Sequence, residues 1–561
     1  MFDRNRSVRR PLTLLAAWVT ATSTLAGVAL LGPSGASAAG PAVEALAPIA
    51  LSLDTRLGRH PISPEIYGMN FADPALAAEL RLPADRWGGN ATSRYNWTAN
   101  TSNTGSDYYY ENIVKPADQS LDSFVAADLG RGTAPVVTVP MTGWISKVSP
   151  TQHPFLCSFP RATFPSQDSF DPFDPGCGNG LRAGAELTGA SPTSTSVAAG
   201  APFVRSMVDH LVATHGDAAH GGVRFYGLDN EPGLWNSTHR DVHPAPLSYD
   251  ELAAKSTATA AAIKAADPTA KVLGPSDWGW CAYFYSAADQ CGGNPTDHDA
   301  HGLDLAPWYL RQMKAYATAH GGVRVLDYLD EHYYPQASGV GLSSAGTPAI
   351  QALRLRSTRS LWDPAYVDES WIGTDVKAPP IQLVRRMKAW IAAEYPGTRT
   401  AITEYNFGGL EAINGALAQA DVLGIFGREG LGLATLWGPP GPGQPGAFAF
   451  RMYRNYDGAG SRFGETGVRS SSTGQGRLAI YSASRASDGA LTVMVINKTG
   501  RAITAGTSLA GFLPATRAAR FSYSAANPSV IVRHTPLPVA DAGWSATYQA
   551  NSITLLVLPP R

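Results

Sequence analysis

The stretch Val223-Arg224-Phe225-Tyr226-Gly227-Leu228-Asp229-Asn230-Glu231-Pro232 runs from an apolar, aromatic segment into three polar residues and a proline. Residues 223–229 have the composition of a strand, and Pro232, which cannot donate to a ladder, stops it and turns the chain. Further short β-branched or aromatic runs lie at 66–70, 85–88, 136–140, 271–274, 325–333, 400–404 and 434–437. Helical patterns separate them, among them 203–215, 249–266, 305–319 and 381–395. In the first of these, Val204, Val208, Leu211 and Val212 recur at helical spacing and define one apolar face. Eight strands alternating with helices predict an α/β fold, a (β/α)8 TIM barrel, with a doubly wound open sheet as the alternative.

The strands end in polar and aromatic residues: Arg86-Trp87-Gly88-Gly89-Asn90, Asp229-Asn230-Glu231-Pro232, Glu331-His332-Tyr333-Tyr334 and Glu404-Tyr405-Asn406. In such a barrel the active site occupies the face carrying these ends. The long Pro/Gly/Ser/Asp-rich segment from Trp144 to about Ala199 is expected to form part of a cleft wall. Beyond residue 463 the runs at 478–482, 490–497, 530–533 and 553–558 lack helical period and are separated by Gly, Pro and Ser. They predict an accessory all-β sandwich over 463–561, which a strand within 45–56 could join. The barrel is then expected over 60–462. No long Ser/Thr/Pro linker intervenes, so the two modules are expected to pack directly.

Residues 1–39 read as a signal peptide: Arg4, Arg6, Arg9 and Arg10, an apolar run over 12–31, then Ala36-Ser37-Ala38. That run is broken by Thr and Ser and ends in Gly-Pro, which argues against a membrane anchor. The Arg9-Arg10 pair leaves the twin-arginine route open beside the general one. A secreted, extracellular protein follows, and four cysteines fit that compartment. Cys157 with Cys177 and Cys281 with Cys291 is the pairing chosen among three connectivities; a zinc site lacks the Cys-x-x-Cys spacing. With 16% charged residues and a formal net charge of −1, nothing favours nucleic acid or an anionic membrane as partner. A neutral substrate is the natural inference.

Glycosidic cleavage needs one carboxylic acid and one carboxylate on opposite sides of the anomeric carbon. Glu231 and Glu404 end the fourth and seventh predicted strands, and a glutamate there is costly to bury unless something uses or pairs it. Pairing with an arginine is the bland alternative for either alone. Glu331 also ends a strand and is the rival for the second role. Sugar rings present apolar CH faces, so Trp87, Trp97, Trp235, Trp362, Trp371 and Trp437 are candidate platforms, Trp437 first and Trp235 second. The segment Asp297-His298-Asp299-Ala300-His301 resembles a metal cluster but reads as solvated surface. Oxygen-rich Asp168, Asp171 and Asp174 are candidates for a structural calcium. Neither a nucleophile-elbow serine, nor His-Glu-x-x-His, nor a dinucleotide fingerprint in a βαβ setting is present.

In Ile62-Ser63-Pro64-Glu65-Ile66-Tyr67-Gly68-Met69-Asn70-Phe71, Arg86-Trp87-Gly88-Gly89-Asn90-Ala91-Thr92-Ser93-Arg94-Tyr95-Asn96-Trp97, Tyr226 to Trp235, Thr238-His239 and Thr403-Glu404-Tyr405-Asn406, the chain resembles glycoside hydrolase family 44, a family of endoglucanases and xyloglucanases. The resemblance implies a retaining mechanism, a barrel with a sandwich built from both ends of the mature chain, Glu231 as acid/base and Glu404 as nucleophile. It adds weight to calcium at Asp171 and Asp174, and no cofactor is needed for the chemistry. Tyr334 or Arg86 is then expected to donate to Glu404, and Asn230 to bind a sugar hydroxyl beside the scissile bond. Asn90, Trp87, Trp97, Trp235, His332 and Trp437 join Arg86 and Tyr334 as expected substrate-binding residues. The implied substrate is a β-1,4-glucan, cellulose or xyloglucan, cut internally by a monomeric enzyme. A xylanase or mannanase on the same barrel, or a non-catalytic carbohydrate-binding protein, are the alternatives.

Overall fold

Eight parallel strands close into a barrel in chain order: β1 (Gly68–Asn70), β2 (Ala84–Trp87), β3 (Ala134–Val139), β4 (Phe225–Leu228), β5 (Lys271–Asp277), β6 (Tyr328–Glu331), β7 (Arg399–Tyr405) and β8 (Leu433–Leu436). The computed structural model describes residues 48–150, 155–375, 377 and 380–561, so the segment read as a signal peptide lies outside the described residues. β8 and β1 complete the ring, with Thr435 opposite Gly68 and Leu436 opposite Met69. Each strand falls on a predicted run, and closure excludes the open sheet.

Strand periodicity then sets what faces inward. Ala84, Val136, Phe225, Leu273, Tyr328, Ala401 and Leu433, one from each of β2 to β8, form a separate apolar cluster that fills the barrel. Two residues further along, the same parity carries buried Arg86, Thr138, Asp330, Thr403 and Thr435, a polar layer over an apolar floor. The opposite parity, including Val137, Tyr226, Leu228, Leu329 and Ile402, belongs to the main core beneath the helices. At the rim the alternation breaks. The β7–β8 register shifts between Ile402 and Tyr405, and the β5–β6 register between Pro275 and Asp277. Such irregularities re-aim side chains at strand ends.

The carboxy-terminal module is a sandwich. One sheet has the order Arg469–Ser472, Ala50–Asp54, Ile503–Ala510, Gly543–Tyr548. Ala50–Asp54 pairs antiparallel with Arg469–Ser472 and parallel with Ile503–Ala510, burying Leu51 and Leu53 in the sandwich core. The seven-stranded second sheet is centred on Leu478–Ser484, Leu491–Asn497 and Ser552–Leu558. Those central strands are buried on both faces. Leu478, Ile480, Val493 and Leu556 face the sandwich core, whereas Tyr481, Met494, Ile496 and Leu555 join the barrel's core. The disulfides Cys157–Cys177 and Cys281–Cys291 have the expected pairing.

The helix Ile413–Glu429, which follows β7, is wedged against this sheet and is buried from Asn414 to Gly427. At Gly424 a Cβ would lie 2.3 Å from the Tyr481 ring, so only glycine allows that approach. Beside it, Asp421 accepts from Lys498 Nζ (2.8 Å), Tyr481 Oη (2.7 Å) and Thr358 Oγ1 (2.7 Å), with the Asp421 and Lys498 side chains 2% and 3% exposed. Removing one partner of a buried ion pair leaves the other charge uncompensated. Asp421→Ala is therefore expected to destabilise the protein by about 3–5 kcal/mol in denaturant unfolding. Asp421→Asn, which keeps an acceptor, should lose less. Equal, negligible losses in both variants would show that the pair does not hold the modules together.

Candidate active site

Arg86 organises the mouth of the barrel. Its guanidinium, 1% exposed, donates to Asn70 Oδ1 (3.1 Å), Glu404 Oε1 (2.7 Å) and Asn230 Oδ1 (2.8 Å). A Cβ on Gly88 would lie 2.3 Å from the Arg86 Cζ, so the guanidinium lies where any larger residue would sit. Gly89, at φ +83°, brings its amide to Asn230 Oδ1 (3.1 Å) and its backbone against Trp437. The Asn230 Nδ2 donates to Asn90 Oδ1 (2.9 Å), and Asn90 in turn donates to Asp107. Asn230 and Asn90 thus form part of one hydrogen-bonded frame.

Glu404 follows inward-facing Thr403, and simple alternation would turn it toward the helices. The β7–β8 register shift brings it to the mouth instead, where its second oxygen accepts from Tyr334 Oη (2.8 Å). An arginine on one oxygen and a tyrosine hydroxyl on the other is the bonding pattern of a carboxylate. Glu331 keeps the outward parity, is fully buried and has neither carboxylate oxygen hydrogen-bonded. Burial raises its pKa well above the ordinary range, with Asp277 and Asp330 adding to the effect. The rival for the second role therefore lies behind the wall of the site.

Glu231 stands across from Glu404, with a carboxylate oxygen of each within 4.8 Å of one on the other. Asp229 (φ +65°) and Glu231 (φ +49°) both hold left-handed backbone, strain of the kind functional sites retain. Asp229 anchors the turn by accepting from the Ser93 hydroxyl and from Met141 N (2.5 Å), and Glu231 N donates to Ser276 O (2.9 Å). Burial pushes the Glu231 pKa up to about 7, opposed by Arg86 and assisted by Asp107.

His332 lies between the two carboxylates, its Nδ1 3.0 Å from Glu231 Oε1 and 3.6 Å from Glu404 Oε2. Burial holds its pKa down at about 4, so the ring is neutral at physiological pH. Its Nε2 is 3.2 Å from Thr403 Oγ1, whose own hydrogen goes to Asp330 Oδ2 (2.6 Å). Asp330 also accepts from Ser276 Oγ and Thr403 N. This chain places the ring proton on Nε2 and leaves Nδ1 as an acceptor, the partner a protonated Glu231 requires.

Of the aromatic candidates, only Trp437 reaches the mouth with part of its ring exposed. Phe71, 43% exposed at the end of β1 and edge-on to Trp437 (6.4 Å), was missed although it closes a quoted motif. Trp87 is a correction: its parity turns it outward onto Tyr95 and Phe124. Trp235 is fully buried beneath Lys255 and His243 and offers no platform. Trp97 stacks on His210 of the helix Ala201–His215 (4.6 Å), outside the mouth. Trp362 lies under the Arg428 guanidinium, away from the strand ends. Trp371 is exposed, following β6 in the chain. The 297–301 segment is not free surface, since Asp297 caps the helix Tyr249–Ala266 and His301 stacks on Tyr249 (4.7 Å).

Asp171 and Asp174 converge with Glu111, which was not foreseen, while Asp168 turns away to cap Ala183 and Gly184. Glu111 is fully buried and no N–H or O–H donor pairs either oxygen; burial, then Asp171 and Asp174, pushes its pKa up to about 8. Tyr108 Oη donates to Asp171 (2.5 Å) at the edge of the group. Three carboxylates gathered without a cationic side chain match the donor set of a hard divalent cation.

The model of glycoside hydrolase family 44 matches residues 101–337. The structure of CelM2, a bifunctional glucanase-xylanase from a metagenome library, superposes with a TM-score of 0.88 at 40% identity, over 92% of this chain and 99% of that one. The family 44 xyloglucanase of Paenibacillus polymyxa, solved with xyloglucan, gives 0.76 at 28% identity, over 92% and 100%. Endoglucanase A of Paenibacillus lautus is 32% identical over 472 residues, 80% of this chain; the chain spans 64% of that protein's length. The chain is a glycoside hydrolase and belongs to family 44.

Proposed function

We propose that this enzyme cleaves internal β-1,4 bonds of glucan backbones, xyloglucan among them, with retention of configuration. The observation that carries the reading is the pair Glu231 and Glu404, whose nearest oxygens lie within 4.8 Å and whose surroundings differ in kind. Retaining enzymes hold their carboxyl groups about 5–5.5 Å apart, whereas inverting enzymes need about 6.5–9.5 Å to admit a water. Arg86 and Tyr334 each donate to an oxygen of Glu404, the nucleophile. Glu231 protonates the leaving oxygen, then, once the glycosyl-enzyme has formed, takes a proton from water. The Glu231–His332–Glu404 spacing would also suit a metal, but Arg86 already supplies positive charge at Glu404. Phe71 and Trp437 offer a ring face to the sugar.

The similarity to a xyloglucanase and an endoglucanase supports the glucan assignment. The likeness to CelM2 makes xylan the second backbone to test. Residues 1–39 fit export to the exterior, and among the described residues no helix is long and apolar enough to cross a membrane.

Glu231→Gln is expected to lower kcat on soluble β-glucan by about 10²–10⁴-fold. Glu404→Gln should abolish turnover while leaving oligosaccharide binding measurable. Azide added to Glu404→Gly should yield an α-glycosyl azide, and a β-glycosyl azide would instead make Glu404 the acid/base and reject it as the nucleophile. A product profile on xyloglucan, carboxymethyl cellulose, xylan and glucomannan reads out the backbone and endo action together.

A general acid must carry its proton in the free enzyme, so kcat/KM should fall as pH rises through about 7. In Glu231→Gln, assayed on an aryl glycoside with a good leaving group, that alkaline limb should vanish. Persistence of the limb would assign it to another group.

We also assign Glu111, Asp171 and Asp174 as ligands of a structural calcium, remote from the chemistry. Chelation should lower the melting temperature and calcium should restore it, since a ligand bound only to the native state stabilises it. Glu111→Gln should melt at one temperature with or without calcium. A wild type insensitive to chelator and calcium alike would rule the ion out.

A further inference from the structure

We infer a second saccharide-binding cleft on the outer side of the molecule, at the seam between barrel and sandwich. Its glucan ligand rests on the function proposed above. Along most of the helix Ile413–Glu429 the two modules are packed shut, as at Gly424 against Tyr481. Beyond Tyr481 the seam opens into a cleft of about 340 Å³. One wall is the segment carrying Arg359, Trp362 and Asp363; the other is the turn at 472–476; Asp421 and Lys498 form the base. No wall comes from a barrel strand end, so the cleft is separate from the mouth that holds Glu231 and Glu404.

The chemistry of the lining selects the ligand. Trp362 is part-exposed, and the Arg428 guanidinium stacks 4.0 Å from its ring centroid. Arg385 also lies over the ring, at 5.8 Å, so two cations fix the plane of an indole whose remaining apolar surface is part-exposed. Every charge in the lining has a partner: Arg359 Nε donates to Asp363 Oδ2 (2.7 Å), and Lys498 Nζ to Asp421 Oδ2 (2.8 Å). The cleft therefore has no net charge with which to hold an anion or a cation. What it offers is a ring platform edged by planar polar groups with hydrogen-bonding capacity to spare. Gln475 Nε2 is buried there beside the Tyr481 hydroxyl and makes no hydrogen bond of good geometry. An apolar face bordered by neutral and internally paired polar groups suits a pyranose ring, whose faces are CH and whose edge is hydroxyl. The volume lies at the small end of ligand sites, about 300–1,000 Å³, and suits a short segment of a chain that passes through.

Titration calorimetry of cellohexaose and of a xyloglucan oligosaccharide into the non-hydrolysing Glu404→Gln protein tests this. Two binding events are expected. Adding Trp362→Ala should weaken the second by about tenfold or more and leave the first unchanged. Gly476→Leu, at an open position where a Cβ meets nothing within 4 Å, should obstruct the same event without disturbing the core. In the otherwise wild-type enzyme, both changes should leave turnover of a short aryl cello-oligoside intact and raise the apparent KM for polymeric glucan. A single event in Glu404→Gln, or a second event that survives both changes, overturns the cleft while leaving the catalytic reading in place. If the wild type hydrolyses none of the β-glucans and no binding is seen, the glucan assignment fails, and the cleft's ligand with it.

Discussion

A guanidinium buried at the top of a barrel is costly to desolvate, and the site is arranged around meeting that cost. Arg86 has no water to turn to, so its N–H groups are met by Asn70 on β1, Asn230 after β4 and Glu404 on β7. One side chain thereby fixes the relative positions of three strand ends. Gly88 makes room for the guanidinium, and Gly89 beside it makes room for Trp437. The same cation differentiates the two glutamates. It sits directly on Glu404, whereas at Glu231 its influence is outweighed by burial, and the pKa stays near 7. Two chemically identical side chains thus meet different surroundings, one held by a guanidinium and a tyrosine hydroxyl, the other governed by burial.

The barrel was legible because its signal is periodic. Eight runs of β-branched and aromatic residues, each closing on polar groups, leave little choice of architecture. Choosing between Glu331 and Glu404 needed more than period. Both end apolar strands, and both follow a polar residue that faces inward. A one-position register slip brings Glu404 into the mouth and leaves Glu331 behind the wall, and nothing in the local residues of β7 announces it. Strand-end context put Glu404 ahead with Glu331 in reserve, and the family motif added the separate roles. The Asp330–Thr403–His332 chain was out of reach for the same reason, since it joins strands through side chains whose direction depends on that slip.

Aromatic platforms were the least legible part. A tryptophan near a catalytic residue in sequence is as often a packing residue, and parity decides which. Trp87 alternates with Arg86, so placing Arg86 inward forces Trp87 onto the helix Leu121–Arg131. Trp235 enters the core because Glu231 and Pro232 turn the chain back under the rim. Phe71 gained its exposure from a left-handed backbone (φ +49°), which residue identity does not betray. In the acidic loop Asp171 and Asp174 could be named from their spacing, but Glu111 lies sixty residues earlier and only the fold brings it near.

The sandwich is more than an appendage to this chemistry. The helix Ile413–Glu429 starts shortly after the strand that carries Glu404, and its burial is divided between barrel and sandwich. The Tyr405 hydroxyl, next to Glu404 in the chain, accepts from Gln419 on that helix (2.9 Å), and Asp421 two residues on accepts from Lys498 and Tyr481 of the sandwich. A rigid helix thus connects the strand of Glu404 to the second module through paired, desolvated polar groups. Such groups tolerate little displacement, because a small shift leaves a buried charge without its partner. The sandwich can therefore hold β7 in its shifted register by fixing the helix that follows it. On this argument the all-β module is part of the support of Glu404, and a barrel expressed without it would lose the partners of Asp421 before it lost any catalytic residue.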